Sequence, residues 1–148
     1  MMNGYYYPYY TREPQDENLI ENISRAINGE YSAIACYEKL AQMAPDAETQ
    51  KRITEIREDE IKHYNTFSQI YQSLTGKLAT PEISEECKDN YQEGLVASLK
   101  DEQETVDFYL DIADSTQNPY IRRVFKRATA DEQNHAVWFL YFYTESKG

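Results

Sequence analysis

The chain has 148 residues, 41% of them hydrophobic, with only five glycines and five prolines, which indicates one domain with a substantial core and a helical composition. Its formal net charge of −11 argues against nucleic acid and anionic membrane surfaces as partners. No apolar stretch approaches the roughly 20 residues that span a bilayer, and the first residues lack the basic region of a secretory signal, so we expect a cytoplasmic protein.

The N-terminal segment is rich in tyrosine, with five among the first ten residues. We predict a flexible tail over residues 1–16 and a folded domain over 17–148. The alternative for this tail is an aromatic docking or assembly segment. Helix 1 is predicted over residues 17–43 and ends before the turn at Pro45-Asp46.

Three further helices follow, each with its own boundary signals. Gly76 is typical of a left-handed helix stop, and Asn118-Pro119 supplies an N-cap and a first-turn proline. Between the second and third helices, residues 75 to about 90 form a connection that reaches roughly 50 Å, enough to run the length of a bundle. The predicted helices cover residues 47–74, 86–114 and 119–143.

A repeated motif carries both histidines of the chain. Residues 59–63 and 131–135 each read Asp-Glu-x-x-His, and 30 residues before each glutamate stands another glutamate, seven residues ahead of a tyrosine. Every member of the second set lies 72 positions after its counterpart in the first. The paired residues are Glu30 and Glu102, Tyr37 and Tyr109, Asp59 and Asp131, Glu60 and Glu132, and His63 and His135.

The glutamates and histidines of this repeat lie in apolar seams of alternating three- and four-residue steps, which are typical of bundle packing. In helix 2 the seam is Ile53, Ile56, Glu60, His63, Phe67 and Ile70. In helix 3, only Glu102 continues the stripe of Leu99 and Val106. Its neighbours Asp101 and Glu104 are rotated from it by roughly 100° and 200°. We therefore expect Glu102, rather than either neighbour, to face the core.

The spacing of these residues predicts a site for two metal ions. Glu30 and Glu60 are equidistant from the first turn, as Glu102 and Glu132 are from the second, so each pair meets at one level of an antiparallel hairpin. Packing the hairpins together brings six ligands to one centre: Glu30, Glu60, His63, Glu102, Glu132 and His135. Two divalent cations balance four buried glutamates, and carboxylate with imidazole ligands suits iron or manganese.

With these motifs the chain resembles the ferritin-like superfamily, in particular the bacterioferritin and rubrerythrin branch of di-iron carboxylate proteins. The resemblance covers about residues 17–146 and implies an all-α, ferritin-like four-helix bundle, built of two antiparallel helical hairpins joined by a long crossover. It implies that Glu60 and Glu132 bridge two iron ions. Glu30 with His63 would complete one metal site, and Glu102 with His135 the other.

The same resemblance implies supporting roles for the other repeated residues. Asp59 and Asp131 would orient the histidines, each serving the opposite hairpin, and the alternative is plain surface charge. Tyr37 and Tyr109 would pack beside the site and donate hydrogen bonds to ligand carboxylates, with core packing alone as the alternative.

Several differences from these relatives limit which cofactors and which functions are expected. Bacterioferritins bind haem through a methionine directly after the helix 2 glutamate, where this chain has Ile61, so no haem is expected. The sequence ends 13 residues after His135, without their fifth helix. Thr105 stands where rubrerythrins usually carry a second helix 3 glutamate. Cys36 and Cys87 are isolated and form no CxxC motif, so no rubredoxin iron is expected.

The resemblance implies a stand-alone di-iron oxidoreductase of the ferroxidase or peroxidase kind, active in stress response or iron homeostasis. Its co-substrate would be O2 or hydrogen peroxide, and a peroxidase would need an external electron donor. One alternative is an iron-binding, storage or delivery protein, and another is a structural or interaction protein that uses the tail. The stretch 137–143 is apolar around its whole circumference and predicts a homodimer, unless the tail or crossover covers it.

Overall fold

A computed structural model describes residues 14–148, with side chains from Glu17 onward. Of the predicted tail over residues 1–16, residues 1–13 lie outside the described part of the chain, and residues 14–16 belong to the first helix, which begins three residues before its predicted start. The elements are four helices: α1 (Pro14–Met43), α2 (Ala47–Thr75), α3 (Tyr91–Ser115) and α4 (Pro119–Lys147). No strand occurs within residues 14–148, so the predicted all-α class with four helices is confirmed.

The helix ends follow the capping chemistry of the sequence. Asp46 accepts a hydrogen bond from the Thr49 backbone N–H at 2.8 Å, and Gly76 adopts a left-handed φ of 75° after α2. The predicted start of helix 3 at residue 86 is wrong, because Asn90 is the N-cap and accepts from the Glu93 N–H at 2.9 Å. Helix α4 also continues four residues past the predicted end at Tyr143, to Lys147.

Helix α1 pairs with α2 and α3 pairs with α4, and the two hairpins pack together. Two apolar clusters fill the bundle, one containing Ile23, Phe67 and Phe125, the other containing Leu40, Ile53 and Phe139. All six predicted seam residues of helix 2 are buried. In α3 the buried stripe runs through Leu95, Ser98, Glu102 and Tyr109, whereas Leu99 and Val106 are only half-buried.

The crossover over residues 76–90 lies along α1. Cys87 in the crossover forms a disulfide with Cys36 in α1. The sequence does not predict this bond, because 51 positions separate the two cysteines and only the path of the crossover brings them together. Closing a loop of that length restricts the unfolded chain and stabilises the fold by about 4 kcal/mol. None of the helices in the described part of the chain is long and apolar enough to cross a membrane.

Candidate metal centre

The four helices bring the six repeated acidic and imidazole residues to the middle of the bundle. Each helix contributes at least one, since α1 carries Glu30, α2 carries Glu60 and His63, α3 carries Glu102, and α4 carries Glu132 and His135. All six are buried, and Glu30, Glu60 and Glu102 are each only 1% exposed. These six residues therefore form a buried polar layer between the two hydrophobic clusters.

These residues form two overlapping groups, in each of which the candidate ligand atoms all lie within 4.8 Å of one another. The first group is Glu30, Glu60, His63 and Glu132, and the second is Glu60, Glu102, Glu132 and His135. Glu60 and Glu132 belong to both groups. Their position between the two groups is the position that a carboxylate bridging two metal ions must occupy.

Several polar atoms of this layer have no hydrogen-bond partner. The Oε1 atoms of all four glutamates are buried and unpartnered, as is Nδ1 of His135. His63 Nδ1 lies 3.0 Å from Glu60 Oε1, but this contact lacks hydrogen-bond geometry. Unpartnered buried carboxylate oxygens are costly, and a bound cation removes that cost. The donor set of oxygen and imidazole nitrogen fits iron or manganese ions.

Each histidine of the motif forms a hydrogen bond with one of the two aspartates of the motif. His63 Nε2 lies 2.8 Å from Asp131 Oδ2, and His135 Nε2 lies 2.8 Å from Asp59 Oδ2. Each pair joins α2 to α4, so each aspartate serves the histidine of the opposite hairpin. With the Nε2–H donating to a carboxylate, Nδ1 of a neutral imidazole keeps its lone pair for the centre.

The two repeated tyrosines cross between α1 and α3 in the same reciprocal way. The Tyr37 hydroxyl donates to Glu102 Oε2 at 2.6 Å, and the Tyr109 hydroxyl donates to Glu30 Oε2 at 2.5 Å. Burial and the nearby glutamate charges raise the pKa of both phenols, so they stay protonated donors. Each bond fixes one carboxylate oxygen and leaves the other directed at the centre.

The carboxylates repel one another in a dry environment. Burial raises the pKa of Glu30, Glu60 and Glu102, and the charge of Glu132 raises each of them further. Glu132 itself behaves differently. Burial would raise its pKa, but the imidazoles of His63 and His135, whose Nδ1 atoms lie 3.4 and 3.5 Å from its Oε1, lower it overall. The cluster thus contains more negative charge than the protein alone neutralises at low cost.

The imidazoles respond in the opposite direction. Burial by itself would lower the pKa of His63, but hydrogen bonds with Asp131 and the surrounding glutamates raise it overall. For His135, the close carboxylates of Glu102 and Glu132, each 3.5 Å from Nδ1, overcome the effect of burial and raise the pKa to about 11. In the metal-free protein, protons therefore supply the positive charge that bound cations would supply, and metal binding must displace them.

Asp101 is a residue whose environment the helical pattern did not reveal. Its rotation of roughly 100° from Glu102 predicts a position away from the core stripe, yet it is half-buried and lines a cavity of about 40 Å³ together with Glu30, Glu60 and Glu132. Burial, together with the charge of Glu85 in the crossover, raises the pKa of Asp101 to about 7. Helical direction places Asp101 nearer the core than Glu104, which is rotated by roughly 200° and is exposed, but it does not predict the cavity.

Comparison with known proteins places this architecture in a family. The family model described as Rubrerythrin matches residues 2–71 and 93–148. The chain is also 55% identical over 144 residues, 97% of its length and 99% of the relative's, to the uncharacterized protein YhjR of Bacillus subtilis (strain 168).

Solved structures share the fold at low sequence identity. A bacterioferritin from Desulfovibrio desulfuricans, described with a diiron site, aligns with a TM-score of 0.81 at 19% identity, over 93% of this chain and 85% of its own. Ferritin-like, diiron-carboxylate proteins from Bacillus anthracis align with a TM-score of 0.78 at 21% identity, over 89% of this chain and 99% of theirs. The predicted ferritin-like bundle is confirmed.

Proposed function

The chain belongs to the rubrerythrin family of ferritin-like di-iron carboxylate proteins, and on that premise we propose that it is an oxidoreductase with a two-iron centre. The reaction we propose is oxidation of Fe(II) by O2 or hydrogen peroxide, or reduction of peroxide with electrons from an external donor. The observation that carries the proposal is the set of buried, unpartnered oxygens on four glutamates whose candidate ligand atoms lie within 4.8 Å of one another in two overlapping groups.

We propose the six repeated residues as ligands. Glu30 and His63 would hold one ion, Glu102 and His135 the other, and Glu60 and Glu132 would be shared, as their membership of both groups supports. Four carboxylates carry the charge that two divalent ions neutralise, while the histidines bind as neutral imidazoles. When bound, two iron ions supply the two electrons that reduction of a peroxide O–O bond requires.

The protein's own groups would hold this centre in place. Asp131 and Asp59 keep the proton on Nε2 of their histidines, so that Nδ1 faces the centre. Tyr37 and Tyr109 hold one oxygen each of Glu102 and Glu30, and the free Oε1 atoms keep the mobility to change their binding mode. The Phe67 ring stacks on His63 at 5.9 Å between centroids and helps to exclude water.

A small oxidant has room beside the carboxylates. The cavity lined by Gly29, Asp101 and Thr105 reaches Glu30, Glu60 and Glu132, and its volume of about 40 Å³ suits a molecule of the size of water, O2 or peroxide. This size supports a small inorganic oxidant rather than an organic co-substrate.

The test is an anaerobic titration of the apoprotein with Fe(II), followed by O2 or peroxide. We expect two irons per chain and an absorbance change that reports their oxidation. Glu102→Gln should lose at least one of the two ions, whereas Glu104→Gln, a matched change two residues away on an exposed position, should retain both. Loading without oxidation, or stoichiometry unaffected by Glu102→Gln, would contradict the proposal.

The same titration separates the competing functions. Uptake of many irons per chain into a large assembly would favour storage or delivery. Tight binding of two Mn(II) with activity only in that form would make this a manganese enzyme. If deleting residues 1–16 abolished cellular function while Glu60→Ala left it intact, an interaction role of the tyrosine-rich segment would replace the enzymatic one.

We also propose that the protein is a homodimer and cytoplasmic. Val137, Leu140 and Tyr141 of α4 are 63%, 50% and 52% exposed. Exposed apolar side chains grouped on one helix support burial against a second copy. The location rests on the sequence prediction alone.

A further inference from the structure

Four interactions hold the crossover against one face of α1. Their α1 residues are spaced three or four positions apart. Asn28 Oδ1 accepts from the Glu82 backbone N–H at 2.9 Å, and Ser32 Oγ accepts from the Ser84 N–H at 2.7 Å. Farther along the same face come the Cys36–Cys87 disulfide and an ion pair between Lys39 and Asp89. The disulfide is thus flanked on both sides by non-covalent ties.

This arrangement pre-organises the two sulfur atoms. When the disulfide is reduced, the backbone hydrogen bonds at Ser84 and Glu82 and the ion pair at Asp89 remain to hold Cys87 beside Cys36. Both cysteines are half-buried, so a reductant can reach them. A pair that persists in one place through oxidation and reduction, and is accessible, has the properties that a cycling disulfide needs.

The pair also lies near the candidate metal centre. Cys36, Cys87 and Tyr37 line one small cavity between α1, α3 and the crossover. Tyr37 follows Cys36 in α1, and its hydroxyl donates to the proposed ligand Glu102 at 2.6 Å. One side chain and one hydrogen bond therefore connect the sulfur-lined cavity to the centre.

We propose that Cys36 and Cys87 form a redox-active pair that supplies electrons to the two-metal centre, an inference that rests on the proposed function. The two thiols would lose two electrons and two protons and form the S–S bond. The electrons would go to two Fe(III) ions held by the six proposed ligands, one electron to each, and the protons to the water that peroxide reduction forms. A dithiol reductant then regenerates the thiols by thiol–disulfide exchange and is itself oxidised to a disulfide. The external donor of the oxidoreductase is, on this basis, a dithiol.

Electron counts and compartment both agree with this assignment. One disulfide stores two electrons, which is the number that two iron ions pass to one peroxide molecule. In a reducing cytoplasm, disulfides are mostly transient and catalytic or redox-sensing. A disulfide that is repeatedly reduced and re-formed is compatible with the proposed cytoplasmic location. A permanent structural disulfide would not be.

The experiment follows thiols and iron in the same sample. The full-length protein is reduced with a dithiol, freed of reductant under anaerobic conditions, loaded with two Fe(II) per chain and mixed with excess hydrogen peroxide. We expect about two peroxide molecules consumed per chain, loss of both free thiols, and a disulfide-linked peptide containing Cys36 and Cys87 by mass spectrometry. The metal-free protein should lose its thiols at least about tenfold more slowly.

The double variant Cys36→Ser/Cys87→Ser is the matched control. It should fold, because the flanking ties remain, and should consume about one peroxide per chain with normal oxidation of its iron. If iron is oxidised in the wild type while the thiols persist, or if the thiols disappear equally fast without metal, the electron-donor role is wrong and the proposed function stands. If no form of the protein oxidises iron, both proposals fall.

Discussion

Nε2 of His63 in the first hairpin lies 2.8 Å from Oδ2 of Asp131 in the second. Burial would raise the pKa of this aspartate, but the hydrogen bond and charge of His63 lower it overall. The contact therefore joins the hairpins and sets which imidazole nitrogen carries the proton. The contact between His135 Nε2 and Asp59 Oδ2, also 2.8 Å, forms a second link between the hairpins.

Replacing this aspartate should weaken metal binding more than folding. We expect Asp131→Asn to lower the affinity of the site by about 10- to 100-fold, because the amide no longer stabilises the Nε2–H tautomer as a carboxylate does. Competition with a chelator of known affinity measures the change. Asp107→Asn, on an exposed position of α3, is the control, and equal effects from both variants would refute the orienting role.

Removing the carboxylate of Glu60 should stabilise the metal-free protein and abolish the stabilisation that bound metal provides. Glu60→Gln relieves a buried carboxylate with a raised pKa, so we expect the apoprotein to gain about 1–3 kcal/mol. The stabilisation by added metal should disappear. Urea unfolding with and without chelator checks both effects, and Glu58→Gln, on the exposed face, should change neither.

The metal-free protein should lose stability as pH rises. The raised pKa values of His63, His135 and three of the glutamates mean that the folded cluster binds more protons than the unfolded chain. Their contribution is therefore full below the unfolded pKa of each group, 4.5 for glutamate and 6.5 for histidine, and is lost as pH rises toward the raised folded values, about 11 for His135. Thermal unfolding in chelator across this range tests the sign, and a stability that rises with pH would contradict it.

Metal should reverse this trend, since binding releases the protons that the cluster holds. The gain in melting temperature on adding metal is expected to grow between pH 5 and pH 8. A gain independent of pH would show that the imidazoles and carboxylates are already deprotonated in the apoprotein.

Two helical glycines should respond to alanine with opposite signs. A Cβ at Gly29 meets nothing within 4 Å, so Gly29→Ala should stabilise the protein by about 0.5–1 kcal/mol through helix propensity. At Gly94 the Cβ would lie 2.8 Å from Leu40 Cδ1, and Leu40 is itself a buried core residue. Repacking should cost more than the propensity gain and leave Gly94→Ala destabilised by about 1 kcal/mol. Chemical unfolding of both variants is the measurement.

The exposed apolar residues of α4 should govern self-association. Changing Val137 and Leu140 to glutamate is expected to convert a dimer to a monomer in sedimentation or light scattering, because two charges would have to be buried in the interface. Leu78→Glu changes a more exposed leucine, 74% exposed in the crossover, and should leave the solution mass unchanged. A monomeric wild type would refute the dimer directly.

The sequence by itself determined the local and periodic features of this protein. Helical spacing placed Glu60 and His63 on one face of α2 and separated Glu102 from Glu104, because a helix of 3.6 residues per turn converts sequence position directly into direction. The helix stop at Gly76 and the N-cap at Asn118 followed equally from local chemistry. Repeat spacing also predicted the level at which two hairpins meet.

Tertiary structure decided what depends on elements distant in sequence. The Cys36–Cys87 bond follows from the path of an irregular crossover, which no periodicity encodes. Burial, the crossover's Glu85 and the buried Glu132 together raise the pKa of Asp101. Tertiary structure also decided the start of α3 at Tyr91, later than predicted, because residues 82–89 are held along α1 by contacts that only the packed bundle supplies. Burial and charge sum over the whole neighbourhood of a side chain, and that neighbourhood exists only once the helices have assembled.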